Sequence, residues 1–169
     1  MDLPAARRPA AALALAVVVA AGCGSGDTGG ALDSPGTPPL RPGATTLPAD
    51  ATVLTAELTG AEEVPGPGAA GGGGTARLVL TPDGKVCANL TTTKIDPATA
   101  AHVHTGATGV AGPVVITLPT PKDGRAEGCA TTPTDPSALA QIKANPQAAY
   151  VNVHTAAQPA GAIRGQLQA

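Results

Sequence analysis

The chain has 169 residues, with ten Lys and Arg against twelve Asp and Glu, one Tyr, and neither Phe nor Trp. Nucleic-acid binding needs a cationic footprint and stacking platforms; a net charge of −2 and a lone aromatic supply neither. The length suits one domain with additions, and its core must be built from Val, Leu, Ile and Ala, each of which buries less area than an aromatic ring.

In chain order, Arg7 and Arg8 form a positive n-region and Ala10–Ala21 an apolar run too short to span a bilayer as a mature helix. The run ends in "AAGC" at 20–23, which resembles the bacterial lipobox, whose cysteine becomes the lipidated first residue. Residues 1–22 are therefore expected to be a lipoprotein signal peptide. Cys23 is the expected lipid attachment point, which puts the chain at the cell membrane on its extracytoplasmic face. Loss of Asp2, Arg7 and Arg8 leaves eleven acids against eight bases, a mature charge near −3. Residues 23–50 are Gly, Pro, Ser and Thr with few large apolar side chains. Such a segment cannot offset its ordering entropy by burial, so a disordered tether is expected.

Residues 51–169 form the expected folded domain, and its pattern is mostly period two, the mark of half-buried strands. In "TVLTAELT" (52–59) Leu54, Ala56 and Leu58 share a face, as do Ala76, Leu78 and Leu80 in "TARLVLT" (75–81). "TPDGK" (81–85) reads as a turn, after which Val86, Ala88 and Leu90 return antiparallel in "KVCANLTTT" (85–93). "PVVITL" (113–118) and "AIRGQL" (162–167) read as further strands. One short helix is expected, capped by Asp135, opened by Pro136, striped by Leu139 and Ile142, and stopped at Asn145-Pro146. The expected class is all-β: an antiparallel sandwich or barrel of seven to eight strands with one short helix.

"AHVHTGATGVAGPVVITL" (101–118) aligns with "VNVHTAAQPAGAIRGQL" (151–167) with one gap. Val103-His104-Thr105 falls on Val153-His154-Thr155, and Gly112 on Gly161. Both units read as strand, glycine-bearing connection, strand, and they are expected to pack beside each other. Together with "LTGAEEVP" (58–65), these motifs resemble the CHRD domain family, named for the repeats in chordin, across residues 51–169. The resemblance implies an extracytoplasmic, immunoglobulin-like β domain. Glu63 and Arg164, both in family motifs, are expected to form an ion pair rather than to carry chemistry.

Strand alternation places His102 and His104 on one face, opposite Ala101 and Val103, and Asn152 and His154 on one face, opposite Val151 and Val153. If the two units are neighbours, His102, His104 and His154 converge, and imidazoles suit copper or zinc. The His-Val-His pair is also similar to the copper-binding strand of Cu,Zn superoxide dismutases. The alternative is that the three imidazoles are packed in the fold and hydrogen-bonded to carbonyls or to Thr105 and Thr155.

With Cys23 committed to lipid, Cys87 and Cys129 are an even pair in an oxidising compartment and are expected to form a disulfide. Alternation puts Cys87 on the outer face of its strand, which disfavours the rival in which both thiols join the histidines. No catalytic set emerges. A Gly-x-Ser-x-Gly elbow is missing, and Glu62 and Glu63 are adjacent, so on a strand they point to opposite faces. The sequence thus reads as a membrane-anchored extracytoplasmic binding or structural module of the cell envelope, not an enzyme, with an extracellular protein or glycan partner. The alternative is a copper or zinc protein with a three-histidine cluster and superoxide dismutase-like oxidoreductase character.

Overall fold

A computed structural model describes residues 47–130 and 135–169. The signal peptide, Cys23 and most of the tether lie outside the described residues. The strands are β1 (Thr52–Thr59), β2 (Gly73–Leu80), β3 (Val86–Thr93), β4 (Ala98–Thr105), β5 (Val114–Leu118), β6 (Arg125–Cys129), β7 (Ala149–Thr155) and β8 (Ile163–Gln166), and the helix is α1 (Pro136–Ala144). No described helix is long and apolar enough to cross a membrane.

All eight strands belong to one antiparallel sheet in the order β5-β4-β7-β8-β1-β2-β3-β6. Of the two expected architectures, the chain comes nearer the barrel, as one nearly closed sheet whose end strands do not pair with each other. The sheet curls until its outermost strands, β5 and β6, are consecutive in sequence and joined by six residues that turn at Asp123-Gly124, both with positive φ. That pairing of left-handed residues suits a tight hairpin turn. The strand β6 has no clean alternation of its own ("RAEGC"), and its sequence marks only Cys129, as the far end of a disulfide.

Alternation holds the core together. Leu54, Leu58, Leu78, Leu80, Leu90, Val103, Val151, Val153 and Ile163 all point inward and are at most 1 % exposed. Asp135 caps α1 by accepting a hydrogen bond from the Ser137 N–H at 2.8 Å, and the helix adds Leu139 and Ile142 to the same core. Cys87 and Cys129 are direct cross-strand partners on β3 and β6 and are disulfide-bonded, on the outer face opposite Val86, Ala88 and Leu90. The bridge holds the strand at the end of the sheet, where pairing is available from one side only.

Glu62 and Glu63 depart from expectation. They lie on a short 3-10 turn and its C-terminal cap, not on a strand. Glu62 is exposed, whereas Glu63 is buried.

Candidate metal centre

The two repeat units pack side by side through β4 and β7, in a register that pairs Ala100 with His154, His102 with Asn152 and His104 with Tyr150. On β8 Arg164 pairs with Asn152, and Gln166 with Tyr150. Because the partners of these strands alternate in step, His102, His104, Tyr150, Asn152, His154, Arg164 and Gln166 all lie on the outer face, while Ala101, Val103, Val151, Val153 and Ile163 fill the barrel. An outer face ordinarily meets water. Here Arg164 is 1 % exposed and Tyr150 2 %, since the segments after β1, β4 and β7 fold back over it. The result is a buried polar layer backing the apolar core.

The three histidines converge in this layer, each offering a ring nitrogen, all within 4.8 Å of one another. His104 Nδ1 lies 2.8 Å from the Gly112 carbonyl and His154 Nδ1 lies 3.1 Å from the Pro159 carbonyl. A carbonyl only accepts, so both Nδ1 atoms carry hydrogen and both Nε2 atoms present lone pairs when the rings are neutral. His102 Nδ1 is 3.1 Å from His154 Nε2 and donates to that lone pair. The lone pair of His104 Nε2 is buried with no partner among the described residues. Burial lowers the basicity of all three rings. The neighbouring imidazoles lower it further at His102, while the carbonyl contacts of His104 and His154 work the other way. Neutral imidazoles with Nδ1–H tied to backbone carbonyls are the form in which histidine binds metal.

The carbonyls that orient His104 and His154 come from the two glycine-bearing connections of the repeat. Gly112 has no room for a side chain, since a Cβ would strike the Thr105 carbonyl, and a Cβ at Gly161 would strike the Glu63 carboxylate. The paired glycines noted in the sequence thus mark the places where the connections close over the polar layer.

Glu63 accepts from Asn152 Nδ2 at 3.4 Å and is 7 % exposed. Burial raises its pKa to about 7, against the opposing pull of Arg164, the Asn152 hydrogen bond and a backbone hydrogen bond. The expected Glu63–Arg164 ion pair does not close: among the described residues the salt bridge is Lys85–Asp83, on an exposed turn. Arg164 instead lays its guanidinium 3.5 Å from the centroid of the Tyr150 ring and donates to the Ala107 carbonyl at 2.9 Å. Tyr150 stacks on His104 at 4.9 Å with planes 10° apart, and its hydroxyl accepts from the Gly112 N–H at 3.1 Å. The repeated Val-His-Thr marks the histidines but not Tyr150 or Gln166. Alternation from His154 and Arg164 was the signal that could have placed both.

Fold and site together define a barrel-like all-β module whose repeated strand–loop–strand units bring three histidines onto one covered face. The family model of the CHRD domain matches residues 54–167, more than half of the 169, and the chain belongs to that family. No curated protein matches the chain, and no solved structure does.

Proposed function

We propose that the chain is an extracytoplasmic CHRD-type binding module, anchored to the membrane through a lipidated Cys23, and that it holds a copper or zinc ion on His102, His104 and His154. Family membership supports a binding or structural module. The anchor is supported by the apolar run ending in "AAGC" at 20–23.

The metal reading is carried by one observation. Three neutral imidazole nitrogens lie within 4.8 Å, one of them a buried lone pair with nothing to accept from among the described residues. Ligands of a tetrahedral zinc site, each about 2.0–2.1 Å from the ion, stand about 3.3 Å apart. His102 Nδ1 and His154 Nε2, 3.1 Å apart, are already near that spacing. Binding requires His102 to move its proton to Nε2 and His104 to swing inward. The ion would replace the His102–His154 hydrogen bond and satisfy the orphaned nitrogen of His104.

Elemental analysis of untagged protein, purified without chelator, tests the reading. Copper or zinc near one ion per chain, lost in the His102→Ala/His104→Ala variant, supports it; background metal in the unaltered protein overturns it. For the anchor, Cys23→Ser should move the protein out of the membrane fraction, and a variant that still pellets with membranes refutes it.

A further inference from the structure

We propose that this site favours cuprous ion over divalent metals, because a buried guanidinium with no acidic partner among the described residues stands one aromatic ring away from its ligands. The inference rests on the metal reading above and adds to it a charge preference.

The ligand set is three imidazoles, and no carboxylate or thiolate among the described residues shares the cluster. A metal bound there keeps its full charge. Softness does not decide the matter, since the thiolates and thioethers that select Cu(I) on that ground are missing from the cluster. Charge does. Arg164 is 1 % exposed and, among the described residues, has no acidic partner within ion-pair distance and no hydrogen-bond partner for Nη1. Its guanidinium is stacked on Tyr150, and Tyr150 is stacked on His104. A guanidinium held that close to the ligands disfavours each unit of metal charge.

The surroundings offer little compensation. From β4 and β7 the groups facing the cluster are the histidines themselves, Tyr150 and Asn152, and from β8 Arg164 and Gln166. The carboxylate of the layer is Glu63, reached through Asn152 and half protonated at neutral pH. It therefore offsets Arg164 only in part. For charges about 10 Å apart at an effective dielectric of about 20, each added unit of metal charge lowers affinity on the order of tenfold. Cu(I) carries one unit fewer than Cu(II) or Zn(II) and escapes that factor once.

The test loads the full chain with copper alone and measures the Cu(II)/Cu(I) potential, then measures Cu(I) and Zn(II) affinity by chelator competition. It uses the unaltered protein, R164Q, R164K and E63Q. In R164Q the potential should fall by about 59 mV for each tenfold of lost Cu(I) preference, and Zn(II) affinity should rise relative to Cu(I). R164K keeps the charge and should stay near the unaltered protein. E63Q removes negative charge and should shift the potential upward. Should R164Q not fold, the sign of the E63Q shift decides. An unmoved potential in both variants, or E63Q moving it downward, overturns the charge preference while leaving the metal site standing. Failure of the unaltered protein to hold any copper or zinc strikes the metal reading itself.

Discussion

Replacing Glu63 by Gln should stabilise the domain increasingly as pH rises from about 4.5 to 7, and leave it nearly unchanged below about pH 4.5. Glu63 is 7 % exposed, and burial raises its pKa from 4.5 to about 7. A carboxyl whose folded pKa lies above its unfolded value binds more protons in the native state between those two values. Its stability contribution is thus fully present below about pH 4.5 and is lost as pH rises through about 7. A displacement from 4.5 to about 7, at 1.36 kcal/mol per unit, gives a penalty of about 3 kcal/mol once the group is ionised. Gln keeps the acceptor for Asn152 and fits the same space against Gly161, but never ionises. Urea unfolding of both proteins at pH 5, 6, 7 and 8, with the disulfide intact, measures the effect. The difference between the two curves isolates Glu63. The three histidines, whose basicity is lowered by folding, add stability with rising pH equally in both proteins. Expected is a gain for E63Q that grows from about 1 kcal/mol at pH 5 through about 2 kcal/mol at pH 6 to about 3 kcal/mol at pH 8. A gain independent of pH, or a loss at pH 8, would refute the claim that Glu63 is a desolvated acid in this layer.

Removing the disulfide with C87S/C129S frees a segment with a sequence separation of 42 residues. Chain entropy puts the loss at about 4 kcal/mol as an upper figure, read as a drop in urea midpoint, with exchange protection lost first in β6. Leu90→Ala, at a site with 0 % exposure in an aliphatic core, should cost about 2–5 kcal/mol in the same assay. Gly161→Ala places a methyl group against the Glu63 carboxylate at φ +154°, so a loss of about 1–3 kcal/mol is expected. Combining it with E63A should recover part of that loss, and strict additivity of the two changes would count against the contact.

Much of the architecture follows from local pattern. Period-two burial located β1 and β3 almost to the residue, because one face of each strand had to be apolar to fill a core without Phe or Trp. The same alternation put Cys87 outside and Ala101 and Val103 inside, and Asp135-Pro136 placed the start of α1. The repeated Val-His-Thr foretold that the histidines would meet, since related units pairing as neighbours bring matching faces together. The strand β6, by contrast, was hidden. It is short, half exposed and polar, and it exists because β3 offers a hydrogen-bonding edge and Cys87 a covalent partner. The polar layer was equally out of reach. Alternation says that Tyr150, Asn152, Arg164 and Gln166 point away from the core, which in a sequence means toward water. Only the return of three connections across that face buries them, and so decides that Glu63 titrates near neutrality and that Arg164 takes the Tyr150 ring instead of a carboxylate. Sidedness is a local property of the strand, whereas burial of its outer side depends on chain segments up to 89 residues apart meeting in space, as Glu63 and Asn152 do.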